Sequence, residues 1–310
     1  MIKDMLVGCT GFVGKNLAEA HTFVGTYHST NIQDAYGRKP ELLVYAGVPS
    51  EMFLANNHPD VDHERILQSI ENIRKIEANE VVLISTVAVY DSPKLKDESS
   101  SIDMSLLSAY GAHRLELENW VTEHCDRSLV VRLPALYGIG LKKNFLYDYL
   151  TYIPKLLKTS VYNDFSLKES FIGACYEDRR DGFYCCRPLT AKERITLKAC
   201  FYRLKFSALN FTDSRSVYQF YNLQRLWNDI ETARKAGIRK LNLATPPVKV
   251  SDIYHRLTGE IFVNELAKQP FDYDIRTEHS LLFGRQDGYI MSREEEINDI
   301  ISFIRAHQEP

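Results

Sequence analysis

Short apolar runs alternate with amphipathic stretches along the first half of the chain. Met5-Leu6-Val7 reads as a buried strand, and residues 15–20 after it have helical periodicity. Phe23-Val24-Gly25-Thr26-Tyr27 and Leu42-Leu43-Val44-Tyr45-Ala46-Gly47 read as the next two strands. Ile66, Ile70, Ile73 and Ile76, with Leu67 beside them, recur at helical spacing within residues 63–78. That stretch is a crossover helix. Val81-Val82-Leu83-Ile84-Ser85-Thr86 is another buried strand. A helix over residues 108–120 and the strand Leu129-Val130-Val131-Arg132-Leu133 follow. Strands alternating with helices predict an α/β fold, a doubly wound parallel sheet of the Rossmann kind.

The second half is less regular. Residues 190–209 pattern as a basic helix carrying Lys192, Arg194, Lys198, Arg203 and Lys205. They read as a solvated face or as a lid over an anionic pocket. Order returns at Val217-Tyr218-Gln219-Phe220-Tyr221-Asn222-Leu223. A helix over 224–236 then ends at Gly237, and Leu241-Asn242-Leu243-Ala244 is a returning strand. Val250-Ser251-Asp252 opens a further helix. Ser292-Arg293-Glu294-Glu295 is a capping box for the last one. The expected organisation is a dinucleotide-binding domain over 1–150, completed by about 217–247. A smaller, mostly helical substrate lobe takes 151–216 and 248–291, so residues 271–288 fall to that lobe. A C-terminal helix takes 292–310.

The turn after the first strand carries Gly8, Gly11 and Gly14 at a spacing of three, just before the first helix. Glycines so placed permit a sharp turn, close approach of backbone to a pyrophosphate, and tight packing of helix on strand. The helix then aims its free N–H groups at the phosphates. At the end of the second strand, His28, Ser29, Thr30, Asn31 and Ile32 include no acid. An acid there binds the ribose 2′-hydroxyl of NAD. Its absence leans toward NADP, with a plain polar turn as the other reading. The small residues Ala46 and Gly47 leave room for a cofactor. Ser85 and Thr86 end a strand where open parallel sheets place ligands. Tyr110 and Arg114 are four apart on one helical face.

Bulk properties narrow the field. The 310 residues suffice for one large domain or two smaller ones, and a net charge of −3 gives no field for nucleic acid or an anionic membrane. No apolar run is long enough to span a bilayer, and the first residues lack a signal-peptide pattern, so a cytoplasmic location is expected. The six cysteines form no zinc-like spacing and read as reduced thiols. No metal centre is expected. His58 and His63 read as surface residues.

Taken together, these residues resemble the extended short-chain dehydrogenase/reductase superfamily of sugar-nucleotide epimerases, dehydratases and reductases. The resemblance covers about half the chain. It rests on the glycine motif, on Ser85-Thr86-Val87-Ala88-Val89-Tyr90-Asp91, on Tyr110 with a basic residue four later, on Arg132-Leu133-Pro134-Ala135-Leu136-Tyr137-Gly138, and on Lys143-Asn144-Phe145-Leu146. It implies a cofactor held by Gly8, Thr10, Gly11, Phe12, Val13, Gly14, His28, Ser29, Asn31, Ile32, Ala46, Gly47, Val48, Tyr110, Arg114 and Pro134. It implies substrate contacts at Thr86, Val87, Lys143 and Asn144, the last two on nucleotide phosphates or else capping the helix near Phe145. Tyr110, Arg114 and Thr86 become the catalytic set. Two copies are expected to pair through the helices near Ile70 and Leu117.

Departures from the family pattern shape the chemistry. The usual lysine is Arg114, and Val87 and Ala88 stand where dehydratases carry an acid and a threonine. A phenol of ordinary pKa near about 10 needs a cation to act as a base at neutral pH. Arg114 supplies charge but stays protonated. The reading is an NAD(P)-dependent oxidoreductase, a keto-sugar-nucleotide reductase, with a 4-epimerase and a non-catalytic dinucleotide sensor or scaffold as the rivals. Protein purified without added cofactor is expected to carry NADP(H) in preference to NAD(H). Mass spectrometry of the released small molecules checks this, and recovery of no dinucleotide would count against the glycine-loop assignment.

Overall fold

The computed structural model describes residues 3–308. Residues 1–2 and 309–310, at the ends of the expected first domain and last helix, lie outside the described residues. The chain forms β1 (Asp4–Val7), α1 (Phe12–Ala20), β2 (Gly25–Tyr27), β3 (Leu42–Tyr45), α2 (Met52–Asn57), α3 (Pro59–Ile76), β4 (Val81–Thr86), α4 (Ala109–His124), β5 (Ser128–Leu133) and β6 (Ala135–Tyr137). Next come α5 (Phe145–Thr151), β7 (Leu156–Lys158), α6 (Thr159–Lys168), α7 (Ser170–Cys175), β8 (Tyr176–Asp178), β9 (Phe183–Cys186) and α8 (Ala191–Arg203). The remainder is β10 (Val217–Tyr218), β11 (Phe220–Asn222), α9 (Leu226–Lys235), β12 (Lys240–Asn242), β13 (Val248–Lys249), α10 (Val250–Thr258) and α11 (Arg293–His307).

Six strands form one parallel sheet in the order β12-β5-β4-β3-β1-β2. Side-chain alternation sorts its residues onto two faces. Leu6, Val44, Val82 and Val131 lie in one apolar cluster with Leu17 of α1 and Leu226 and Ile230 of α9. Met5, Val7, Leu43, Tyr45, Leu83 and Val130 lie in the other, with Ile66, Ile73 and Ile76 of α3 and Leu117 and Val121 of α4. Both faces are covered, which is why the strands read as continuous apolar runs. The helix expected to begin at residue 63 begins at Pro59, a residue whose fixed φ suits the first helical position. Leu117, expected near a face shared by two copies, is buried in the core.

The chain divides into two compact units. The first holds residues 1–141, 217–248 and 272–300, and the second holds 142–216, 249–271 and 301–310. Residues 272–288 therefore cluster with the sheet rather than with the smaller unit that the sequence pattern suggested. The smaller unit contains an antiparallel sheet, β7-β9-β8, besides its helices. Its core gathers Leu157, Ile172, Cys175, Leu197 and Phe201. Helix α8 opens with a capping box of Thr190 and Glu193 and stops at Arg203, short of the residue 209 expected. Arg203 is tied to Glu169 at 2.5 Å, so one charge of the supposed basic face is spent within the unit. Among the described residues no helix is long and apolar enough to cross a membrane.

Helix α4 meets the sheet through polar residues as well as apolar ones. Glu118 is 0% and Arg132 1% exposed. Arg132 of β5 donates to the Glu118 carboxylate through Nε (3.0 Å) and Nη2 (2.6 Å), and through Nη1 to the Tyr90 hydroxyl (2.7 Å). Ser85, paired beside Arg132 across β4 and β5, donates to Glu118 at 2.5 Å. The Tyr90 hydroxyl also accepts from Asn242 of β12 (2.8 Å) and donates to the Asp97 carbonyl (2.7 Å). Every member is satisfied, the condition under which a buried charge is tolerable. Removing one charge strands the other. Glu118→Gln is expected to cost about 3–5 kcal/mol in urea denaturation, and the double change Glu118→Leu with Arg132→Met far less. Equal losses in the two variants would show that the ion pair is not what holds α4.

Candidate active site

The turn between β1 and α1 is shaped by backbone contact. Gly8 has φ +92°, and a Cβ there would sit 2.2 Å from the Ala46 carbonyl oxygen. A Cβ on Gly14 would sit 2.1 Å from the Gly8 carbonyl oxygen. The first contact presses the turn against the end of β3, and the second presses α1 onto the turn. Gly11 is the N-cap residue of α1, and no side chain caps that helix. First-turn N–H groups of a helix have no intrahelical acceptor, so those at Phe12 and Val13 keep their capacity for an anion. Thr10 and Gly11 are exposed, whereas Phe12 and Val13 are half-buried against the core.

The segment after β2 is a polar turn bonded to itself. The His28 N–H donates to Asn31 Oδ1 (2.7 Å), the Asn31 N–H to the His28 carbonyl (3.1 Å), and Thr30 Oγ1 lies 3.1 Å from His28 Nδ1. Ser29 is exposed on it, and Ile32 is buried in the core beneath. After β3, the Ala46 N–H donates to the Val7 carbonyl at 2.9 Å. Gly47 lies against Val7, and Val48 packs on the core. Pro134 is half-buried just past β5.

At the C-terminal end of β4, Thr86 meets Tyr110. The Thr86 hydroxyl accepts the Ala88 N–H at 3.1 Å, and the Thr86 side chain is among the groups that act on the Tyr110 phenol, lowering its pKa slightly. Val87 is buried against Leu115 and Ile275. Two local features bring Tyr110 there. Ser108 caps α4, and Asn56 of α2 accepts the Tyr110 N–H at 3.1 Å. Gly111 has no side chain, and a Cβ there would lie 2.3 Å from the Ala88 carbonyl oxygen. A glycine inside a helix costs about 1 kcal/mol against alanine. Here it permits α4 to touch the turn after β4.

Arg114 is 4% exposed, with its guanidinium carbon 3.9 Å from the centre of the Tyr110 ring. Four of its N–H groups are directed at protein acceptors. Asp62 of α3 receives one from each terminal nitrogen, the Oδ1 contact at 2.9 Å. The Pro49 carbonyl (2.8 Å) and, more distantly, the Tyr110 carbonyl (3.4 Å) receive the others. Asp62 is 1% exposed and lies 2.8 Å from His113 Nδ1. Burial opposes ionisation of Asp62, yet the bonds from Arg114 and His113 hold its carboxyl below the ordinary value. His63, read as a surface residue, is partly exposed and pairs with Glu116 at 3.0 Å.

Arg114 does draw the phenol down, but burial outweighs it. Burial raises the Tyr110 pKa above its ordinary value; the Arg114 cation opposes this, while the Asp62 carboxylate adds to it. Asp62 was not singled out in the sequence. Its signal is an acid one turn before Ile66, on the stripe that faces the core. Gly111 and Glu118 were missed as well.

Lys143 and Asn144 lie in the second unit and are described there. Asn144, at φ +105°, caps α5, its Oδ1 accepting the Leu146 (3.0 Å) and Tyr147 (3.2 Å) N–H groups. Lys143 is exposed. In the first unit, Glu98, Glu278 and His279 bring ligand-type atoms within 4.8 Å of one another. The Glu98 carboxylate there already receives the Asn242 and Glu278 N–H groups and the Thr277 hydroxyl, and so acts as a clasp between loops.

Neither a family model nor a curated protein matches the amino-acid sequence. Solved structures do match. dTDP-4-dehydrorhamnose reductase from Bacillus anthracis, in complex with NADP, aligns with a TM-score of 0.61 at 14% identity, over 97% of this chain and 98% of that one. The chain shares the fold of that reductase. An NAD-dependent NDP-hexosamine 5,6-dehydratase of tunicamycin biosynthesis aligns at 0.60 and 15% identity, over 99% and 98% of the two chains. UDP-N-acetylglucosamine 4-epimerase from Methanobrevibacter ruminantium aligns at 0.59 and 9% identity, over 98% of each.

Close packing at Gly111 is directly testable. Gly111→Ala is expected to lose about 1–3 kcal/mol in urea denaturation, because the Ala88 carbonyl is backbone and cannot swing aside. Gly173→Ala, whose Cβ would meet its nearest neighbour at an ordinary 3.7 Å, is the control, expected to be neutral or to gain up to about 1 kcal/mol. A tolerated Gly111→Ala would mean that α4 is not held against the turn.

Proposed function

We propose that this protein is an NAD(P)-dependent reductase of a nucleotide-linked keto-sugar, with NADP favoured. The observation that carries this reading is the Tyr110 phenol, buried beside Thr86 at the C-terminal end of β4, in the sheet whose first turn is the glycine loop. Gly8 and Gly14 let the turn close against the end of β3 and against α1, and the N-terminus of α1 carries no side-chain cap, so the residues present fit a pyrophosphate. The N–H groups of Phe12 and Val13 would face it. Ala46, Gly47 and Val48 would line the cofactor, and His28, Ser29 and Asn31 the ribose end. Ile32 supports that turn from the core. A reduced nicotinamide, when bound, supplies a hydride.

In this reading Thr86 orients the sugar carbonyl and Tyr110 gives its oxygen a proton. Transition-state proton transfer of this kind is worth about 10²–10⁴-fold. The aligned dTDP-4-dehydrorhamnose reductase is described with NADP, which supports the cofactor preference, as does the lack of an acid after β2. We place the enzyme in the cytoplasm, in keeping with its free cysteines. A pairing of two copies would use the outward positions Val61 and Leu67 of α3, since Leu117 faces inward.

One observation favours the non-catalytic reading instead. Arg114 spends its donors on Asp62, Pro49 and Tyr110, so it does not replace the family lysine as a ribose ligand. Turnover decides. With dTDP-4-dehydrorhamnose and related keto-sugar nucleotides, NADPH consumption is expected, and Tyr110→Phe should lower it by about 10²–10⁴-fold. Unchanged turnover in that variant would remove Tyr110 from the mechanism. No turnover by the unaltered protein across the panel would favour the binding-only reading, and interconversion of sugars with no net cofactor consumption the 4-epimerase.

A further inference from the structure

Asp62 belongs to α3, a crossover helix that the glycine loop and the sheet do not need for binding. Yet it is buried beneath the phenol's own helix and takes both terminal nitrogens of Arg114. An isolated arginine beside a phenol favours the phenolate. An arginine in a bidentate pair with a carboxylate contributes far less field, because the two charges nearly cancel at the distance of a third group. The groups facing Tyr110 from the packed elements are few. They are Thr86 from β4, Arg114 from α4 itself, Asp62 from α3 and, at its backbone N–H, Asn56 from α2. His113, next to Arg114 on α4, bonds the same Asp62 oxygen that Arg114 does.

We propose that Asp62 is the positioning residue that sets the resting protonation state of the site: by pairing with Arg114 it keeps Tyr110 a neutral phenol, the form that can give a proton to a carbonyl undergoing reduction. This rests on the reductase reading and deepens it. The step balances with a dihydronicotinamide as reductant. The carbonyl carbon gains a hydride, and the carbonyl oxygen takes the phenol proton as the C=O π bond breaks. The tyrosinate left behind regains a proton from solvent. Oxidation of a carbinol would need the tyrosinate first, the form that the Asp62 carboxylate disfavours. Burial of the phenol and its raised pKa point the same way.

The test is a titration of the Tyr110 phenol by NMR on protein with isotope-labelled tyrosine, the resonance assigned with Tyr110→Phe. It needs neither substrate nor turnover, so a failure of the reductase reading would not mimic a failure here. Asp62→Asn frees the Arg114 charge and is expected to move the phenol's midpoint down by about 1–3 pH units, with Asp62→Glu returning it toward the original value. The double change Asp62→Asn with Arg114→Met removes both charges together, a replacement that buried pairs often tolerate, and should leave the midpoint in place. A folded Asp62→Asn protein with an unmoved midpoint would overturn the proposal. Should that variant not fold, Arg114→Met decides: a midpoint raised by about one unit or more, from the Asp62 charge left unpaired, would support the proposal, and an unmoved midpoint would overturn it.

Discussion

The arrangement depends on how α4 is fixed to the end of β4. Tyr110, Arg114 and Glu118 recur every four residues, so they form one stripe along the helix. An apolar stripe would slide or rotate at little cost. This one is pinned, by Asp62 at Arg114 and by Arg132 and Ser85 at Glu118. Each contact is directional and buried, so a small shift of the helix would leave a charge unpaired in a dry interior. The phenol's position beside Thr86 is thus set from below by ion pairs and from above by the absence of a side chain at Gly111.

Most of the sheet was legible in the pattern of residues. Strands buried on both faces leave continuous apolar runs, and the isoleucine stripe of α3 marks a helix lying on them. The start of α3 was misread because Pro59 looks like a break when it is the first residue of the helix. Residues 272–288 were assigned to the wrong neighbourhood for a different reason. They are held by scattered polar contacts, such as the Ile275 N–H to Gln219 and Thr277 to Glu98, and such contacts leave no periodic trace.

The site was legible where chemistry follows spacing and obscure where it follows partnership. The glycine turn, Thr86, Tyr110 and Arg114 stand out by type and interval. Whether Arg114 acts on the phenol depends on Asp62, fifty-two positions away in the chain. An acid on an apolar stripe was the available sign. The same holds for Arg132, a lone charge inside the run Leu129-Val130-Val131-Arg132-Leu133, which announces a buried partner without naming Glu118.

Because the phenol and the acid that governs it sit on different crossover helices, the acid–base temper of the centre and its architecture are separable. The Asp62 carboxylate bonds to Arg114 and His113. A side chain on one crossover helix thus adjusts the proton affinity of a phenol carried by another, from outside the stretch that holds Thr86, Tyr110 and Arg114.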